Sequence, residues 1–224
     1  MKLLALDTAG PRCSVALLLE GKLAELDMPG DRIQAESVLP LVERLLADAG
    51  IALAGLDAIA FGRGPGAFTG LRVATSVAQG LAYGAGLPVL PISDLAALAA
   101  AAMRLHQAER VMACLDARMH EVYWAAYERS PEGLVPLTEE SLSPPADVRA
   151  PSPGPWFGAG PGWGAYGDVL KAQISPLAGL DAALLPGAGD IARLAEIAFR
   201  EGKSVAPEHA LPVYLRDKVA TPKP

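Results

Sequence analysis

From residue 56 the chain passes through a largely apolar segment, 56–61, into Gly62-Arg63-Gly64-Pro65-Gly66. It then enters a stretch where Val73, Ala74, Val77, Ala78 and Leu81 recur at helical spacing. Three glycines and a proline in five residues permit a turn that side chains would forbid. The unit is therefore a buried strand, a tight turn and a helix over roughly 69–83, which excludes an all-β and an all-α fold. Two readings of the turn stay open. Its backbone amides and the helix dipole suit an anion, and the same glycines serve equally well for a turn with unusual dihedrals. The run lacks the Gly-Lys-Ser/Thr ending of a P-loop.

The flanking patterns extend this unit. Residues 3–6, 14–19 and 23–26 read as three strands joined by the short turns at Gly10-Pro11 and Gly21-Lys22, an antiparallel meander. Val38, Leu41, Val42, Leu45, Leu46 and Ala49 mark a helix stopped by Gly50, with Pro40 implying a kink or a later start. A strand at 87–91 follows, and Ser93 is the expected N-cap of a helix through His106. Meander, helix, strand, helix, strand, helix describe an α/β chain whose mixed sheet carries helices on its faces. The second half opens as the first does: 111–116 ends in Leu-Asp like Leu6-Asp7, and Glu121-Val122-Tyr123-Trp124 echoes Ser14-Val15-Ala16-Leu17. The echo predicts two related lobes, 1–108 and 109–224. Residues 130–161, rich in Pro, Gly and Ser, read as a surface meander, and a last helix starts near Asp190 and ends at Gly202.

Composition narrows the chemistry. A hydrophobic content of 51% supplies a packed core and excludes disorder. Nineteen Lys and Arg against 25 Asp and Glu leave a net charge of −6, so no global field grips nucleic acid. Cys13 and Cys114 cannot build a disulfide framework and fit a reducing compartment. The most apolar run, 95–103, is closed by Asp94 and Arg104, short of the ~18 residues of a membrane span, and no signal sequence opens the chain. A cytoplasmic protein is expected. The three His (106, 120, 209) are scattered, with no His-x-x-x-His or Cys-x-x-Cys metal pattern, and no Gly-x-Ser-x-Gly elbow supplies a nucleophile.

Other candidates remain. Asp7 and Asp116 each end a strand, where a carboxylate either holds a metal–nucleotide complex or caps its own turn. Gly158-Ala159-Gly160-Pro161-Gly162 is a weaker candidate for close approach to a nucleotide. Glu36 and Glu43 read as solvated helix charges. On the first helix Leu39, Leu41, Leu45 and Leu46 form a stripe wider than one ridge, and the next helix carries the small residues Ala74, Ala78 and Gly80. Together they predict a bundle-like partner surface.

Leu4-Ala5-Leu6-Asp7-Thr8, the run from Asp57 to Arg72, Leu115-Asp116-Ala117-Arg118 with Glu121-Val122-Tyr123-Trp124, and Pro212-Val213-Tyr214-Leu215-Arg216 resemble the TsaB (YeaZ) family. Those are bacterial tRNA threonylcarbamoyladenosine biosynthesis proteins of the actin-like ATPase superfamily. The resemblance covers nearly the whole chain, and the middle motif is its specific part. It implies two ribonuclease-H-like lobes, mixed sheets flanked by helices. It also implies a non-catalytic partner of the paralogue TsaD, which with the ATPase TsaE places threonylcarbamoyl on an adenosine beside the anticodon. TsaD binds iron through a His-x-x-x-His motif whose positions here are Asp94 and Leu98, and a Leu cannot ligate a metal.

The implied interface with TsaD is a helical bundle using Val38, Leu41, Val42, Leu45, Leu46, Val73, Ala74, Val77, Ala78 and Leu81, through which the chain homodimerises when alone. Contact with tRNA is then only indirect. A vestigial nucleotide site would comprise Asp7, Thr8, Gly64, Gly66 and Asp116, holding ATP or ADP with magnesium weakly if at all. One departure is Gln34-Ala35, where many family members have His-Ser. The competing expectations are a nucleotide hydrolase acting through Asp7, Asp116 and the glycine loops, and a glycoprotease-like peptidase.

Overall fold

The computed structural model describes residues 1–30 and 34–216. Five strands form the first sheet: β1 (Lys2–Asp7), β2 (Arg12–Leu19), β3 (Lys22–Pro29), β4 (Ala58–Gly62) and β5 (Val89–Ile92), in the order β3-β2-β1-β4-β5. The meander β1–β3 is antiparallel, and β4 and β5 add in parallel beside β1. The second sheet contains β6 (Arg110–Asp116), β7 (Val122–Ser130), β8 (Gly133–Pro136), β9 (Ser141–Ser143), β10 (Trp156–Ala159) and β11 (Leu177–Asp181). Its order is β11-β10-β6-β7-β8, with β9 on β7. Apart from β9 this repeats the first sheet, a three-stranded antiparallel meander continued by two parallel strands. The faint echo between Leu6-Asp7 and Leu115-Asp116 is thus a duplicated ribonuclease-H-like topology.

Continuous apolar strands are dictated by cover on both faces. Leu4 and Leu6 of β1 point to α1 (Gln34–Ala49) and α2 (Phe68–Ala85), while Leu3 and Ala5 point to α5 (Ala188–Arg200). The helix α3 (Asp94–His106) lies between the sheets, turning Leu95, Leu98 and Ala102 to β6 and β7 and Ala97 to the first sheet. Ser93 Oγ caps it by accepting from Ala96 N at 3.1 Å, as expected. The helix α4 (Pro161–Gln173) covers the far face of the second sheet through Trp163 and Leu170.

Two expectations need correction. Pro40 lies inside α1 and does not delay its start. The helix runs from Gln34, and the carbonyl that loses a partner, that of Glu36, belongs to an exposed first turn where water serves. Residues 130–155 do run along the surface, but the segment 130–161 is not irregular throughout and its end, 156–160, is buried. It contains β8, β9 and β10, and β10 is fully buried between β6 and β11, its Trp156 and Phe157 facing opposite cores. The helix α4 and strand β11 follow it unforeseen. Gly162, Gly164 and Gly167 blur the pattern of α4, and Tyr166 leaves helical geometry at φ −134°.

Candidate functional site

The glycine turn is built around backbone rather than around a ligand. Arg63 N donates to Ile92 O at 2.8 Å, Gly64 N donates to the Asp94 carboxyl, and Ala67 N donates to Ala9 O at 2.9 Å; Pro65 has no N–H. Gly64 has φ +110°, and a Cβ there would lie 2.7 Å from Val213 O. At Gly66 it would lie 2.7 Å from the Ala9 Cβ, and at Gly70 only 1.8 Å from Thr8 O. Thr8 Oγ1 donates to Gly70 O at 2.6 Å. The chain's own β1 exit loop thus packs against Gly66 and Gly70, and Val213 against Gly64. These contacts account for the glycines as a tight turn needs them.

The second glycine run behaves alike. A Cβ at Gly160 (φ +103°) would meet Cys114 O at 2.5 Å, one at Gly162 the Cys114 Sγ at 2.5 Å, and one at Gly158 the Trp163 ring at 2.7 Å. These glycines let β10 and α4 close on β6.

Asp7 and Asp116 carry the repeat into side-chain chemistry. Asp7 Oδ1 accepts from Ala9 N at 2.8 Å and Asp116 Oδ1 from Arg118 N at 2.8 Å, the same turn in each lobe. Asp7 is joined by Asp94, and both are fully buried. Burial pushes the Asp7 carboxyl up to about 6, against the Ala9 N–H and the Arg12 charge. Burial first, then the charge of Asp7, raises Asp94 well above the carboxylate range, against the Gly64 N–H and Arg63. Asp94 Oδ1 has no hydrogen-bond partner, and a Cβ at Gly62 would lie 2.4 Å from it. Leu98, at the other expected metal position, is buried against β6 and β7.

Asp116 lies in the second sheet, half-buried, before a turn with three successive left-handed residues: Arg118 (φ 62°), Met119 (φ 55°) and His120 (φ 61°). Such backbone is costly for side-chain-bearing residues and needs outside support. Arg216 supplies it, donating to Ala117 O at 2.9 Å and pairing with Glu121 at 2.8 Å. The segment leading there ties the lobes together. Val205 bridges to Val89, Ala210 is buried beneath α2, and Val213 N donates to Arg63 O at 2.7 Å. Arg63 itself forms a two-pronged bond to Glu140 at 3.1 and 3.0 Å. Neither ion pair was legible in the sequence, since its partners lie 77 and 95 residues apart.

The expected partner surface divides in two. Val38, Leu41, Val42, Leu45, Ala74 and Ala78 are buried in the chain's own core, against β1, β2 and β4. They are not free for a partner: the stripe looked too wide for one contact because it meets both the sheet and the neighbouring helix. Leu46, Val73, Val77 and Leu81 are only half-buried, and Leu39, Phe68 and Tyr83 are exposed at 44%, 37% and 80%. An apolar outer face therefore survives, rotated away from most of the residues first expected on it.

Residues 31–222 match the profile of the family described as TsaD: tRNA N6-adenosine threonylcarbamoyltransferase. The chain is 43% identical over 227 residues to the tRNA threonylcarbamoyladenosine biosynthesis protein TsaB of Escherichia coli K12, covering 100% of itself and 98% of that protein. It is 39% identical over 232 residues to the TsaB of Haemophilus influenzae, covering 100% and 97%. Among solved structures, YeaZ from Pseudomonas aeruginosa superposes with a TM-score of 0.91 at 49% identity, over 96% of this chain and 99% of that one.

Proposed function

Because the chain belongs to the TsaB (YeaZ) family of tRNA threonylcarbamoyladenosine biosynthesis proteins, we propose that it is a non-catalytic subunit of that modification. It works in the cytoplasm by docking the outer face of α1 and α2 onto a TsaD-family transferase, contacts tRNA only through that partner, and pairs with itself through the same face when alone. TsaE joins the pair. The observation that supports this reading is the apolar outer face left on α1 and α2, beside a glycine turn packed tightly on Thr8, Ala9 and Val213. The same packing weighs against a nucleotide hydrolase. No helix among the described residues is long and apolar enough to cross a membrane.

The test places charge where a partner would sit. Leu46→Asp with Val77→Asp, both at half-buried positions, should abolish co-purification with the TsaD paralogue and the modification of tRNA in a reconstituted assay, while circular dichroism stays unchanged. Leu45 and Ala78 are unsuitable, since a charge there attacks the core. Undiminished pull-down by a folded double variant would refute the docking face. Strong heat on titrating ATP and magnesium into the wild-type chain would favour the hydrolase.

A further inference from the structure

The outer face of α2 carries one charge, Arg72, amid Phe68, Thr69, Val73, Ser76 and Val77. That arginine is held rather than free. Its Cζ lies 3.7 Å from the centre of the Phe68 ring, and its Nε donates to Tyr214 Oη at 3.3 Å. The Phe68 and Tyr214 rings meet at 5.2 Å with a 41° tilt, so the two aromatics form a seat for the guanidinium. Both remain more than a third exposed, at 37% and 40%. The guanidinium pairs with no carboxylate among the described residues. Beside it opens a groove of about 460 Å³ between Ala35 of α1 and Val73 and Val77 of α2.

A seated arginine at the rim of an apolar groove recognises a complementary pair of groups. A planar guanidinium takes a carboxylate through two N–H bonds, and stacking removes beforehand much of the entropy such a bond costs. The groove takes an aliphatic side chain. We propose that Arg72, seated by Phe68 and Tyr214, is the specificity-determining residue of the α1–α2 face, and that the transferase partner offers it a carboxylate beside an apolar anchor. This rests on the docking reading above. Charge complementarity selects the occupant: an α2 face whose only charge is positive, set among apolar and small residues, fits an apolar helix bearing one acid. A second copy of this chain is the competing occupant, since α1 carries the exposed Glu36 and Glu43.

Binding of the TsaD-family protein from the same organism, measured by calorimetry at low and high salt, tests the assignment. Arg72→Ala should weaken binding about tenfold or more and flatten its salt dependence. Arg72→Lys should recover only part of the loss. Tyr214→Phe keeps the charge and frees the guanidinium; it should cost about two- to fivefold with the salt slope retained. Arg200→Ala, on an exposed arginine of α5, should leave affinity unchanged. An Arg72→Ala protein that binds with wild-type affinity and salt slope overturns the proposal. So does one that loses only self-association, which would assign the seat to a second copy. Failure of the wild type to bind the paralogue sinks the docking reading and this one with it.

Discussion

With Asp7 and Asp94 both buried and within reach of each other's field, the folded chain holds a proton that the unfolded chain releases above pH 3.8. A folded-state value raised to about 6 at Asp7 gives the sign directly. Stability from this pair is full below 3.8 and is lost as pH rises through about 6, because the native state then binds more protons than the unfolded one. Arg12, Asp27, Arg63 and Glu140 also bear on the pair and set its fine balance. The melting temperature should fall by several degrees as pH rises from about 3.8 to just above 6, the window set by the raised Asp7 value, whose full shift corresponds to roughly 3 kcal/mol. Asp94→Asn, which keeps an acceptor for Gly64 N, should flatten that profile. A wild-type melting temperature independent of pH over the same range would contradict the shared proton. Asp7 was legible from its place at a strand end. Its partner was not: Asp94 follows an N-cap serine, a position where any acidic residue is ordinary, and only the fold sets it against β1.

The helix α2 shows what a sequence pattern conveys about an element and what it withholds. Its period, and its end at Gly86 in left-handed backbone (φ +68°), follow from local rules. Its glycines look alike in sequence and differ entirely in role. A Cβ at Gly70 would collide with Thr8 O at 1.8 Å, whereas one at Gly84 would find nothing within 4 Å. Gly70→Ala should therefore destabilise by about 3 kcal/mol or more through displaced backbone. Gly84→Ala should stabilise by about 0.5–1 kcal/mol by restricting the unfolded chain. Urea unfolding of the two variants checks the pair, and equal effects would mean that the approach to β1 is looser than described. For α1 the period identified Val38, Leu41, Val42 and Leu45 as one face correctly. What it left out was the body on the other side, which is this chain's own β2 and not a partner.

At the scale of the molecule the two halves of the sequence do not close upon themselves. From the second half, α5 packs Ile191, Ala192 and Ala195 onto the first sheet, and from the first half α3 packs Leu95, Leu98 and Met103 onto the second. Arg104 and Asp190 join these crossed helices by two bonds of 2.9 and 2.8 Å. Fragments 1–108 and 109–224 should each be insoluble when expressed alone, since each leaves one sheet face bare, and should recover native circular dichroism when produced together. A soluble, cooperatively unfolding 1–108 would show that the lobes are separable. By itself the sequence determined what local rules govern. These are the strand, turn and helix around Gly62 to Gly66, the serine cap of α3, the two aspartate turns and the faint repeat that foretold two matching sheets. Periodicity reports which residues share a face but never what lies opposite it. Only the tertiary structure therefore decided that six expected interface residues are core, that the glycines make way for Thr8, Ala9, Val213 and Cys114, and that Asp7 meets Asp94. Each of those contacts joins residues brought together by the crossing of lobes and strands, at separations over which a linear pattern carries no information.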